Sequence, residues 1–170
     1  MIKRVISPPL RTRADLDALW AGLRDGVLDI IGSDHVPDRL DTEKRVPAPP
    51  FPQISNGGPG IETLLAVVYS EGVSTGRITI ERMVEVLATT AARTFGLPMK
   101  GAIEVGRDAD LVIWDPVAHR TLHQGDLHHT SDFTPYEGLA VRGAIVDVIV
   151  GGRTTGESTG RFLERRLADR

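Results

Sequence analysis

Apolar positions along this chain change period twice. Residues 2–6, Ile-Lys-Arg-Val-Ile, have the character of a short strand, which Ser7-Pro8-Pro9 stops because two prolines remove two backbone donors. Leu16, Leu19, Trp20 and Leu23 then recur at i, i+3, i+4 and i+7, the stripe of an amphipathic helix. Thr12 is placed to cap it, with Asp15 three residues on in the role of a capping-box glutamate, and Gly26 supplies a left-handed stop. Residues 27–33 are nearly continuous in apolar character apart from Asp29, which predicts a strand buried on both faces of a parallel sheet. Strand, helix and strand within about 30 residues form a βαβ unit.

Residues 35–52 are polar, contain five prolines and have no period. They predict a loop, and a long loop in a compact domain is usually functional or mobile. Asn56-Gly57-Gly58-Pro59-Gly60 predicts a tight turn into a helix that turns Ile61, Leu64, Leu65 and Val68 to one side and ends at Gly72. Thr79 is placed to cap a third helix, with Ile80, Met83, Val84 and Leu87 inward and Gly96 as its stop. Beyond Pro98 the pattern becomes that of strands at 102–105, 109–114 and 139–150, with turn glycines at Gly101, Gly106, Gly143, Gly151 and Gly152. The fold class expected is therefore α/β and then β, with a boundary between residues 97 and 101.

Composition narrows the function classes. The chain has 170 residues, 41% hydrophobic and 25% charged, enough for one sizeable core or two small ones. A formal net charge of -3 gives no attraction to a polyanion, so a nucleic-acid partner is not expected. Arg161, Arg165, Arg166 and Arg170 against Glu164 and Asp169 predict a solvated basic tail. The chain has no cysteine, which removes disulfides and thiolate metal sites. No apolar run approaches the ~20 residues needed to span a bilayer, and the first residues hold no signal-peptide core. The expectation is a soluble, cytoplasmic protein without a membrane partner.

Candidate chemistry gathers around Ser33-Asp34-His35, which follows the second expected strand. In parallel α/β folds, catalytic groups sit where strands end and loops converge. A carboxylate there can bind a metal or move protons, or it can simply cap the next loop. His119 and His123 are four apart, with His128 and His129 after them. Pro116 and Gly125 spoil a helix there, and no glutamate completes a zinc-protease pattern. Gly57-Gly58-Pro59-Gly60 lacks the lysine of a phosphate loop, and Pro59 lacks a needed donor.

The segments SPPLR (7–11), DALW (17–20), GSDHVP (32–37), NGGPGIET (56–63), ARTFGL (92–97), KGAIEVGRDADLVIWDP (100–116), YEG (136–138) and GRFLERR (160–166) occur in one order. That order resembles the C-terminal portion of the dihydropyrimidinase and hydantoinase family, across nearly the whole chain. The GSDH and NGGPGIE segments carry the likeness to cyclic-imide hydrolases. The DADLVIWDP segment is shared more widely among amidohydrolases.

The resemblance implies the last two β/α units of a TIM-like (β/α)8 metal-dependent hydrolase barrel in residues 1–97. Part of the small β-sandwich would follow in 98–155 and a C-terminal arm in 156–170. It implies a dinuclear zinc centre in which Asp34 matches a metal ligand that also shuttles the reaction's proton. Ser7 and Asn56 match residues whose main chain grips the ring amide. His35 would orient the site beside the ligand, or pack as a structural histidine. Val36 stands where the family more often has a smaller residue, which would narrow the site.

The implied substrate is a small cyclic amide, a dihydropyrimidine or hydantoin, opened to an N-carbamoyl amino acid. An allantoinase- or dihydroorotase-like hydrolase is the alternative, with Arg39, Lys44 and Arg45 as candidate cations for a substrate carboxylate. A non-catalytic remnant or assembly domain is the third reading. One matching ligand where the chemistry needs about six, and two strands of an eight-stranded barrel of about 250 residues, lead to the expectation that this chain alone is inactive. It would associate with an N-terminal portion or with copies of itself.

Overall fold

The computed structural model describes residues 2–45, 47, 50–156 and 161–165. Its first long element is the helix α1, Arg13–Arg24, and the expected capping box forms. Asp15 N–H donates to Thr12 Oγ1 at 3.3 Å, and Thr12 N–H donates to Asp15 Oδ2 at 3.0 Å. These bonds satisfy donors that the first helical turn leaves unpaired. Gly26 takes φ 77 and reverses the chain as expected.

Both strand expectations in the first 97 residues fail. Residues 2–6 form a single 3-10 turn, Ile2–Arg4, and residues 27–33 run extended without a ladder. A strand exists only through a neighbour that takes its backbone donors and acceptors. Among the described residues, 27–33 have one such bond to a distant part of the chain, Ile31 N–H to Val86 O at 3.1 Å. Val27, Asp29 and Ile30 are exposed rather than buried on both faces. The one parallel bridge among the described residues joins His35 to Gly58.

The second helical stretch begins as α2, Leu64–Val68, and does not stop at Gly72. It widens into a π-helical turn, Tyr69–Val73, that carries Gly72 against the Trp20 ring, which occupies the space a Cβ would need. The third runs as α3, Ile80–Val84, a π-helical turn, Glu85–Thr89, and α4, Thr90–Thr94. Thr79 Oγ1 caps it by accepting from Arg82 N–H at 3.1 Å, and Gly96 ends it at φ 70.

The β part is a three-stranded antiparallel sheet in the order β1-β2-β3, comprising β1 Leu111–Thr121, β2 Ala140–Val150 and β3 Arg153–Thr154. The first strand runs past Pro116, where the sequence pattern suggests an end. The register shifts between Asp115 and His119, so the proline sits in a bulge. Asp115 Oδ1 accepts from Val117 N–H at 2.9 Å and Ala118 N–H at 3.2 Å, which satisfies the donors the bulge frees. Residues 102–105 form no strand, and Val105 is fully exposed. Gly143 is not a turn glycine. It lies inside β2 at φ 88, and the Trp114 ring fills the place of its missing side chain.

Trp114 ties the two halves together. One buried cluster is Leu23, Val68, Tyr69, Ile78, Met83 and Val86, the other Ala66, Leu122 and Val141, and Trp114 packs against both. Its ring meets Tyr69 edge-on with centroids 5.1 Å apart. Arg142 N–H of β2 donates to Ser70 Oγ at 3.0 Å, which fastens the sheet to the π turn. A Cβ at Gly143 would strain a left-handed backbone and collide with Trp114. Gly143→Ala is therefore expected to lower unfolding free energy by at least about 2 kcal/mol. Denaturant midpoints check this, and a change under about 0.5 kcal/mol would contradict the packing.

Candidate active site

The turn at residues 56–60 lies between two other chain segments and is bonded to each. On one side Ser7 N–H donates to Asn56 O at 3.2 Å. On the other, Val36 N–H donates to Gly58 O at 3.1 Å. His35 Nδ1 accepts from Gly60 N–H at 3.1 Å and Ile61 N–H at 3.3 Å. Backbone comes this close because Gly57 has no side chain. A Cβ there would lie 2.8 Å from Asp38 Oδ2 and against Val36.

The result is a cavity of about 620 Å3 with Ser7, Asp34 and Asn56 all on its wall. Val36 also lines it, as do Lys3 and Tyr136. Asp34 sits at φ 45, a left-handed conformation that costs most L residues about 1–2 kcal/mol. Its carboxylate has no hydrogen-bond or ion-pair partner among the described residues, unlike Asp38, which binds Gly57 N–H at 3.0 Å. Strained backbone and an unpaired carboxylate on a cavity wall are features of sites held for chemistry. The main-chain N–H of Asn56 and C=O of Ser7 likewise have no partner among the described residues. His35 reaches the site from behind. With Nδ1 accepting two backbone donors, it joins the Asp34 and Asn56 segments and leaves no lone pair at that nitrogen for a metal.

The remaining histidines are spread out. His119 is exposed on β1, His123 Nδ1 lies 2.8 Å from Glu137 Oε1, and His128 Nδ1 lies 2.6 Å from Glu62 Oε1. Burial pushes the Glu62 carboxyl up, but hydrogen bonds from the His128 ring and backbone outweigh it and leave it below the ordinary glutamate range. His129 lies 6.0 Å from the His35 ring, and its Nδ1 is buried without a partner among the described residues. No group of three His, Cys, Asp or Glu among the described residues could hold a metal. Asp34 offers a hard oxygen donor with nothing competing for it, so these residues fit one position of a metal centre and not a set.

Three residues shape the site in roles that the sequence pattern does not suggest. Tyr136 belongs to the YEG segment, but nothing in its spacing points to a cavity wall. Burial pushes its hydroxyl up from its ordinary value and keeps it protonated. Asp38 and Lys44 fall in a polar, proline-rich stretch that reads as solvated. Lys44, weighed above as a cation for substrate, is fully buried with its ammonium already engaged. Neither it, Arg39 nor Arg45 lines the cavity.

The strain at Asp34 is open to direct measurement. Asp34→Gly should be more stable than Asp34→Ala by about 0.5–1 kcal/mol, because only glycine adopts φ 45 freely. Thermal or denaturant unfolding of the two variants decides it, and equal stabilities would mean the backbone there is not left-handed.

Comparison with known proteins gives the family of the chain. The amidohydrolase family model matches residues 1–155. The D-hydantoinase of Ralstonia pickettii is 41% identical over 173 residues, covering 96% of this chain and 38% of the relative. A D-phenylhydantoinase of Escherichia coli O1:K1 is 38% identical over 97% of this chain and 38% of its own length. Among solved structures, the D-hydantoinase from Bacillus sp. AR9 superposes with a TM-score of 0.87 at 44% identity, covering 90% of this chain and 34% of that one. The dihydropyrimidinase from Brevibacillus agri NCHU1002 gives 0.87 at 40%, covering 90% and 33%. The chain thus spans 38% of the length of the curated relatives it matches. The chain belongs to the amidohydrolase family, and its relatives there are hydantoinases and dihydropyrimidinases.

Proposed function

We propose that this chain carries the amide-gripping and proton-moving part of a hydantoinase-type active site, which hydrolyses a cyclic amide C–N bond to leave an N-carbamoyl amino acid. The observation that carries this reading is the convergence of Ser7, Asp34 and Asn56 on one cavity although they lie far apart in sequence. Asn56 N–H and Ser7 C=O offer one donor and one acceptor, the complement of a planar –CO–NH– edge. Asp34 takes a proton from the water that attacks the ring carbonyl. It returns that proton to the ring nitrogen as the C–N bond breaks, so one carboxylate serves as base and then acid. His35 holds the Asp34 segment against the Asn56 turn throughout.

The family is metal-dependent, and zinc is the metal we assign. Asp34 would be one of its ligands, and the others would come from residues outside these 170. Bound zinc supplies a lowered pKa for water and a polarised carbonyl. Residues 1–97 would be the end of the (β/α)8 barrel and 98–155 part of the β-sandwich. Of the arm at 156–170, residues 157–160 and 166–170 lie outside the described residues. Association with a companion segment or a second copy is supported by exposed Val112, Val117 and Val146 on the sheet and by exposed Leu19 and Val27. No described helix is long and apolar enough to cross a membrane.

One observation favours a second reading, a ring that carries a carboxylate as in a dihydroorotase. Lys3 and Arg4 line the cavity and could hold such a group. Comparing kcat/KM for dihydroorotate with that for dihydrouracil and hydantoin separates the two. In zinc-loaded protein containing these residues, Asp34→Asn should lower kcat at least about 100-fold while KM stays within about threefold. An unchanged kcat removes Asp34 from the chemistry. Ring opening by the 170-residue chain with zinc alone, abolished by Asp34→Ala, would show that the ligands need not come from elsewhere.

A further inference from the structure

Lys44 is the one fully buried cation among the described residues, and its side chain has no exposed surface. Its ammonium Nζ donates to Val5 O and to Ser55 O, each at 2.9 Å. Asp38 Oδ2 lies 3.8 Å away, and the Phe133 ring centroid 5.7 Å away. The same Asp38 oxygen accepts from Gly57 N–H at 3.0 Å, and the Asp38 carbonyl accepts from Ser131 Oγ at 2.6 Å. The Lys44 acceptors therefore sit two residues before Ser7 and one before Asn56. The second partner of Asp38 sits one residue after Asn56.

A buried charge is costly unless paired and hydrogen-bonded, and an apolar side chain of similar size often serves stability as well. What an apolar residue cannot do is hold two carbonyls at a set distance from one point. Burial pushes the Lys44 ammonium below its ordinary value, while the Asp38 charge acts against that.

We propose that Lys44 and Asp38 form a positioning pair that fixes the spacing between the Ser7 and Asn56 segments and so sets affinity for the cyclic amide. This rests on the reading of those two segments as the grip on the ring. Neither member lines the cavity, and among the described residues neither is bonded to Asp34, so loss of the pair should loosen binding and leave the proton transfer intact.

Residue-resolved amide hydrogen exchange on the 170-residue chain tests the pair without any turnover. In Lys44→Met, the Ser7 and Gly57 amides should exchange at least about tenfold faster, while those of α1 and β1 change less than about twofold. Uniform acceleration along the chain, or none at Ser7 and Gly57, overturns the proposal. Should Lys44→Met fail to fold, Asp38→Ala should speed Gly57 at least about tenfold and leave Ser7 near its wild-type rate. Asp38→Asn, which keeps an acceptor for Gly57 N–H, should bring Gly57 back to within about threefold of wild type. A Gly57 amide indifferent to both Asp38 variants also overturns it.

Kinetics on zinc-loaded protein containing these residues then separates this proposal from the functional reading. Lys44→Met should raise KM for hydantoin at least about tenfold with kcat within about threefold. Altered exchange with an unmoved KM would leave the pair as the spacer of the two segments and remove those segments from the ring. A kcat loss without a KM change overturns the assignment to binding.

Discussion

The site rests on one close backbone approach. Gly57 lies against Val36 and Asp38 where no side chain fits, and its N–H is taken by the Asp38 carboxylate. Ser7 N–H holds the turn from one side, and Val36 N–H with His35 Nδ1 hold it from the other. Main chain from three parts of the sequence is thereby fixed by hydrogen bonds between groups that would otherwise be solvated. Lys44 gathers the carbonyls of two of those parts from beneath. The arrangement brings Ser7, Asn56 and Asp34 to the lining of one cavity.

The helices and the sheet serve this site by anchoring its ends. Trp114 lies between the cluster around Val86 and the cluster around Leu122, so sheet and helices share one aromatic contact surface. Ile31 N–H bonds to Val86 O in the π-helical turn between α3 and α4, which places the extended run leading to Asp34. The Pro116 bulge carries the strand on past a residue that cannot donate, and Tyr69 hydroxyl donates to the Pro116 carbonyl at 3.3 Å. A local irregularity of the sheet is in this way turned into a link to the helices.

What the sequence showed and what it hid follow from where the information resides. The capping box at Thr12 and Asp15, the cap at Thr79 and the left-handed stops at Gly26 and Gly96 are encoded within a few residues, and they were legible. The strands expected at 2–6 and 27–33 depend on neighbours, and the apolar pattern records only a readiness to pair. Gly143 reads as a turn in the sequence because glycine in a strand pattern signals only a special backbone angle. Its cause, the Trp114 ring, lies on another strand. Ser7, Asp34 and Asn56 are singled out in the sequence by family likeness alone, and the fold sets them on one cavity. Lys44 and Asp38 were hidden because burial of a charge inside a polar loop leaves no periodic trace.

On the proposed function, a cyclic amide docks between the Ser7 and Asn56 main chains, opposite Asp34. Two-dimensional 1H–15N spectra of isotope-labelled protein titrated with hydantoin test it most directly. Saturable shifts are expected to centre on the Asn56, Gly57 and Ser7 amides and to fade along α1, α3 and the sheet. Shifts centred on the sheet or on α3, with Asn56 and Ser7 unmoved at saturation, would contradict it.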